Sequence, residues 1–340
     1  MQPVRLMTVL LLSLATLALS VAAQAQGVAD FFKGKSIALI IPNAPGGSFD
    51  LYGRLVARHL GKHIPGQPTL VSQNMPGASG MIAGNWLYGV APQDGTAMGI
   101  LIPNIAIAQV ISMPEIKYDV RKYNWIGRIV APTATLFTWH TSQTKTVADL
   151  RNRETVIAST GPLSQAEITS QMMNGLAGTK FKIIQGYKGT TDAILAMERG
   201  EVEAGIFPWT FMKLSHPDWL AQGKVNVVAP YTRSPIADLP NVPTIFELAQ
   251  TEDLRGVFNL FFGPDEIGQP LALPPNVPAE RVEAIRRAFD LMIKDPDYLT
   301  DAEKQQLALT PATWQELEKS VADAFKATPD QIAVAKKFFH

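Results

Sequence analysis

The sequence contains no cysteine among its 340 residues. Disulfide staples are therefore excluded, as are cysteine nucleophiles and thiolate metal sites, so the chain must stand on ordinary hydrophobic cores. It also lacks an excess of charge, with 30 Lys and Arg facing 30 Asp and Glu. That balance gives no electrostatic case for a nucleic-acid partner or an anionic membrane surface. Long apolar runs are scarce. The one near the start, Leu6 to Ala18, follows Arg5 and precedes the small-x-small motif Ala23-Gln24-Ala25. This is the pattern of a secretory signal peptide over residues 1–25, too short and wrongly flanked for a transmembrane helix. No later segment is long enough to span a bilayer, so the mature protein is expected to be exported and soluble, without membrane insertion. Catalytic signatures are missing too: there is no Gly-x-Ser-x-Gly elbow, P-loop or dinucleotide fingerprint. His59 and His63 stand four residues apart, but His-Leu-Gly-Lys-His lacks the glutamate of a zinc-protease helix. Surface histidines are the expectation there, with no metal and no cofactor.

What is present is a repeated device. Ile37 to Ile41 is a continuous apolar run that reads as a strand buried on both faces. Pro45-Gly46-Gly47 turns the chain. Ser48 and Asp50 then offer cap chemistry to a helix marked by Leu51, Leu55, Val56 and Leu60. Strand, glycine turn and helix start together aim backbone N–H groups at an anion, because the first turn of a helix has unpaired donors and a partial positive charge. The alternative is a plain βα turn with an N-cap and no ligand. About thirty residues on, Thr69 to Ser72 runs into Gln73-Asn74-Met75-Pro76-Gly77-Ala78-Ser79-Gly80 and a helix with Met81, Ile82, Trp86 and Leu87. In a parallel sheet two such turns fall on one edge, where open α/β folds bind ligands.

The plan continues. Strands are expected at Ala97–Ile102, Trp125–Val130, Thr135–Trp139, Thr155–Ser159, Phe181–Ile184, Glu203–Phe207 and Val225–Ala229. The strand at Glu203 is expected to reach Pro208-Trp209-Thr210, and Phe258–Phe262 reads as an aromatic strand. A proline-rich loop (Pro264, Pro270, Pro274, Pro275, Pro278) follows, then helices from Ala279. A chain of this size exceeds a single core and suggests two domains.

The order of motifs resembles the Bug (TctC-like) family, the extracytoplasmic solute-binding receptors of tripartite tricarboxylate transporters. The matching pieces are Pro45 to Asp50, Gln73 to Gly80, Ala91 to Thr96, Gln185 to Gly189, and Arg233 with Leu239 to Glu247. Gln73 stands where many members carry Glu, and Thr96-Ala97 replaces the usual aromatic. The resemblance implies an α/β, two-lobed Venus-flytrap architecture, each lobe a mainly parallel sheet flanked by helices, with the ligand cleft between them. By analogy residues 26–131 begin lobe one, 132–255 form lobe two, and 256–340 return to lobe one. It implies a periplasmic, monomeric, non-enzymatic protein that captures a small carboxylate (dicarboxylate, tricarboxylate or aromatic acid). The implied partner is a membrane permease with one large and one small subunit. A ligand-sensing subunit for a signalling receptor and a periplasmic enzyme are the alternatives.

In the family the two glycine loops hold a ligand carboxylate, which carries over to Pro45, Gly46, Gly47, Ser48, Phe49 and Asp50, and to Asn74, Pro76, Gly77, Ala78, Ser79 and Gly80. Ser48 and Ser79 could donate hydroxyls to the carboxylate or cap helices. Asp50 would repel an anion, so its expected role is indirect. Asn74 could donate to the ligand or tie the loops together. In lobe two, Ser159, Thr160, Gly161 and Ser164 suit a distal polar group. Thr190 and Asp192 serve either the ligand or the next helix start. Phe49 and Trp209 could wall an aromatic ligand or belong to the core.

Overall fold

The computed structural model describes residues 26–162, 164–232, 235–251, 254–255, 258 and 267–337. The proposed signal peptide, Leu163, Arg233, Asn259 to Phe262 and Pro264 lie outside the described residues.

A first helix, α1 (residues 26–32), leads to β1 (Ser36–Ile41), whose Ile37, Leu39, Ile40 and Ile41 are fully buried. Three further units complete this part of lobe one: α2 (Ser48–His59) with β2 (Thr69–Asn74), α3 (Met81–Gly89) with β3 (Ala97–Ile100), and α4 (Ile105–Val110) with β4 (Asn124–Val130). β1 pairs in parallel with β2 on one side and β3 on the other, so the turns after all three strands share one edge. Along β3, Met98 and Ile100 enter one core while Ala97 enters the core on the other face, the period of two that a strand covered on both sides requires.

The chain then crosses to lobe two: β5 (Ala134–Trp139), α5 (Asp149–Asn152), β6 (Thr155–Ala158), α6 (Gln165–Ala177), β7 (Phe181–Ile184), α7 (Thr190–Glu198), β8 (Ala204–Pro208), α8 (Trp209–Ser215), α9 (Pro217–Ala221) and β9 (Val225–Pro230). Its sheet runs β7-β6-β8-β5-β9, with β5 antiparallel to both neighbours and the others in one direction. Trp209 does not prolong β8. Pro208 is the N-cap of α8, and the strand stops because the chain turns into that helix. Phe258 is helical rather than extended, and packs with Ile245 and Leu248 in the core of lobe two.

The return to lobe one is β10 (Gln269–Leu273), followed by α10 (Ala279–Met292), α11 (Pro296–Lys304), β11 (Ala312–Thr313), α12 (Trp314–Ala324) and α13 (Pro329–Lys336). β10 replaces part of the expected proline loop. It lies between β3 and β4, antiparallel to both, and every residue in it is buried. Pro270 is tolerated because it sits at a register shift and still accepts Leu101 N–H through its carbonyl at 3.0 Å. Gly268, with φ +58°, precedes it where a Cβ would strike the Val130 carbonyl oxygen. Both sheets are therefore mixed, each with its antiparallel strands near the middle or edge.

His59 and His63 are part-buried, not surface groups. Their Nε2 atoms meet Asp301 at 2.8 Å and Asp295 at 2.7 Å, which fastens the end of α2 to α11.

Candidate functional site

The loop after β1 delivers the N-terminus of α2 to the space between the lobes. Gly47 is the N-cap, in extended backbone (φ −89°, ψ 176°), and no side chain caps this helix. Asp50 and Leu51 turn their N–H groups back to the Gly47 carbonyl at 3.0 and 3.1 Å. The N–H groups of Ser48 and Phe49 precede any intrahelical acceptor, so they are left to whatever occupies the cleft.

Asp50 faces away from that space. Its carboxylate accepts hydrogen bonds from Gly46 N–H, Arg54 Nε and Asn74 Nδ2, all at 2.9 Å. Burial by itself would raise this carboxyl; the bonds from Arg54, Gly46 and Asn74 outweigh it and hold the group below the usual carboxylate range. Asn74 also donates to the Asn43 carbonyl at 2.8 Å, so Asp50 and Asn74 lace the two glycine loops together.

The second loop takes a shape that L-residues avoid. Gly77, Ala78, Ser79 and Gly80 have φ of 139°, 43°, 51° and 93° in succession. Left-handed backbone at a non-glycine residue costs on the order of 1–2 kcal/mol, so Ala78 and Ser79 are held there by their surroundings. The result aims the Ser79 hydroxyl across the cleft at Thr160 Oγ1, 3.0 Å away.

On lobe two, Ser159 Oγ accepts Gly161 N–H at 3.0 Å and meets Ser164 Oγ at 2.9 Å. Ser164 caps α6 by accepting Glu167 N–H at 3.0 Å. These hydroxyls build the turn. α7 is different: its N-cap is Gly189 and no side chain caps it. The bare ends of α2 and α7 confront each other, such that a Cβ placed on Gly47 would lie 3.7 Å from Thr190 Cβ. Beside them Ala44 N–H donates to the Lys188 carbonyl at 3.3 Å, a backbone bond between lobes.

These elements enclose a cavity of about 140 Å³. Of the residues singled out in the sequence, Ser48, Phe49, Ser79, Thr160, Ser164 and Thr190 line it. Pro76, Gly77 and Ala78 instead line an outer cavity of about 260 Å³ with Lys188. The remaining candidates form the scaffold behind these walls: Pro45, Gly46, Gly47, Asp50, Asn74 and Gly80 in lobe one, and Ser159, Gly161 and Asp192 in lobe two. Asp192 accepts Lys188 N–H at 3.2 Å. Trp209 is core, stacked on Phe137 at 6.2 Å and donating Nε1–H to Asp238 at 2.7 Å; the aromatic of lobe two that reaches the cavity is Phe207.

Several lining residues escape a reading of loops alone. Ile102, Pro103 and Asn104 follow β3, the third parallel strand on the same edge, and that topology is the signal that could have found them. Pro132 and Pro208 flank the crossing into lobe two and the end of β8. Gln269, at the start of β10, is fully buried and donates Nε2–H to Ser48 Oγ at 3.0 Å, while its Oε1 has no partner. Asn43 Oδ1 is likewise buried and unpartnered. Among the described residues, no Asp, Glu, Lys, Arg or His lines the cavity, and no cluster of His, Asp and Glu could hold a metal ion.

Two mixed sheets flanked by helices, with a cavity where their edges meet, define the two-lobed architecture of periplasmic binding proteins. The tripartite tricarboxylate transporter family receptor model matches residues 53–333. The chain belongs to that family. It is 26% identical over 288 residues to the UPF0065 protein in the gbd 5'region of Cupriavidus necator, covering 82% of each chain. The solved periplasmic binding protein BugD superposes with a TM-score of 0.72 at 17% identity, covering 90% of this chain and 98% of that one. MatC from Rhodopseudomonas palustris, solved with bound malate, superposes at 0.70 with 18% identity, covering 89% and 100%. No described helix is long and apolar enough to cross a membrane.

Proposed function

We propose that this protein is a periplasmic receptor that captures a small carboxylate in the interlobe cleft and delivers it to a membrane permease of one large and one small subunit. The observation that carries this reading is the meeting of two uncapped helix N-termini, those of α2 and α7, across the cavity. Unpaired N–H groups and the partial positive charge of each helix end converge where a carboxylate would lie. Malate bound to MatC supports a carboxylate ligand for this fold. The N-terminal export signal supports the compartment.

Capture is a hinge motion. A carboxylate seated on α2 alone gains half of the donors; closing lobe two adds the end of α7, so the ligand stabilises the closed state by its differential contacts. The Ala44–Lys188 and Ser79–Thr160 bonds join the two lobes and would latch the closed state. The family is one of receptors, which supports reading the site as one that binds without chemistry.

A thermal-shift screen against C4–C8 dicarboxylates, tricarboxylates, acidic amino acids and aromatic acids tests the reading. Ligand at a hundred times its Kd should stabilise the native state by about 2.7 kcal/mol. Silence across all these acids, from folded protein free of retained solute, would remove the carboxylate assignment.

A further inference from the structure

The cavity has one pole built from helix ends. The α2 and α7 ends supply it, and Gln269 adds a fully buried amide whose Oε1 is unpartnered. A side-chain amide exchanges donor and acceptor edges on a half-turn, so Gln269 can offer Nε2–H to an anion while Oε1 accepts the Ser48 hydroxyl proton. Of the hydroxyls that lobe two brings beyond this pole, Thr160 meets Ser79, and Ser164 meets Ser159 and caps α6. Lobe two adds carbon from Ala158, Ala193, Ile206 and Phe207 and one uncharged amide, Gln165, while Asn104 adds another amide from lobe one. Arg54 is committed to Asp50 and Asn74, and Lys188 is exposed and lines only the outer cavity.

We infer, resting on the receptor reading above, that the solute is a monoanion: one carboxylate at the α2–α7 pole and a compact, uncharged, apolar body against the lobe-two wall. A second carboxylate inside the cavity would be desolvated with no counter-charge among the described lining residues, and an ammonium would meet no acid there.

The test compares matched probes by calorimetry on protein freed of retained solute: benzoate against terephthalate, 4-methylpentanoate against adipate, with benzamide and phenylalanine as controls. The expected result is that benzoate or 4-methylpentanoate binds at least tenfold more tightly than its dicarboxylate counterpart, and that benzamide and phenylalanine do not bind. Tighter binding of terephthalate, adipate or phenylalanine overturns the monoanion inference and leaves the carboxylate receptor standing. Equal binding of benzamide and benzoate overturns the anion pole, and failure of every acid overturns both readings. Ile206→Lys places a cation on the carbon wall and is expected to move the mono-to-dicarboxylate ratio at least tenfold toward the dicarboxylate. An unmoved ratio in folded Ile206→Lys overturns the placement of the apolar body; if this variant does not fold, the wild-type ratios decide.

Discussion

A graded series at Gly47 tests whether closure of the two helix ends is what binds the ligand. The backbone there (φ −89°, ψ 176°) suits any L-residue, so substitution costs no conformational strain. An added Cβ would meet Thr190 Cβ at 3.7 Å and its N and Oγ1 at 3.8 Å, which is ordinary packing distance. Gly47→Ala should therefore bind within about threefold of wild type, a difference under ~1 kcal/mol. Gly47→Phe extends a ring along the same direction, and the lobes must part by several ångströms to admit it. The interlobe bonds at 3.0 and 3.3 Å cannot survive that separation. Each bond is worth about 1 kcal/mol net, and the ligand also loses the α7 donors. A loss of at least ~100-fold in affinity, about 2.8 kcal/mol, follows. Gly47→Val falls between the two. In an open receptor none of the three side chains would meet Thr190, so melting temperatures without ligand should stay within a few degrees of wild type. Titration calorimetry with the tightest acid from the screen, beside thermal melts, reads both quantities. Wild-type affinity in folded Gly47→Phe would refute the closure argument.

Asp50→Asn places an amide donor among three donors, and should cost about 1–3 kcal/mol of stability with weaker binding from the loosened loops; an unchanged melt would show that the lacing is idle. Asp119 is held at about 2 by Arg121, and Asp295 well below the usual range chiefly by Lys62, while the bonds at Asp50 outweigh its burial. Because these folded-state values are depressed, the stability they contribute is complete above the unfolded carboxylate value of about 4 and disappears as pH falls through the folded values. The melting temperature is expected to be insensitive to these groups from pH 7 to 5 and to fall below about pH 4; a rise on acidification from pH 5 to 3 would contradict it. Gly268→Ala meets both a left-handed backbone and the Val130 carbonyl, and should destabilise the protein by about 2 kcal/mol or more in denaturant melts.

The parts of this fold that show in the sequence are those whose local chemistry agrees with their tertiary role. β1 is legible because a strand covered on both faces must be apolar throughout, and the turns after β1 and β2 are legible because they need glycine. β10 is not. Gln-Pro-Leu-Ala-Leu among prolines has the composition of a loop, and only the slot between β3 and β4 makes it a strand. Trp209 misleads for a related reason: a strand end and a helix start can share one tripeptide, and the proline before it serves the helix. His59 and His63 read as surface groups because their aspartate partners lie 242 and 232 residues away.

The binding edge was visible as chemistry but not as geometry. Ser48 is legible as a loop hydroxyl, whereas its donor, Gln269, lies 221 residues further on and carries no local mark. A separation of 24 residues likewise hides the role of Asp50 in an anion loop: its partner Asn74 sits on the next strand, and together they build the loop. This division of labour bears on mechanism. A site holding its anion by an arginine on one lobe would bind tightly while open, and closure would add little. Here each lobe contributes one helix end and no charged side chain among the described lining residues, so neither half suffices. A ligand shifts an equilibrium only by its differential affinity for the two states, and splitting the donors between lobes places most of that affinity in the closed one. For the receptor proposed above, occupancy and closure would thereby be one event, the property a membrane partner would need in order to tell a loaded receptor from an empty one.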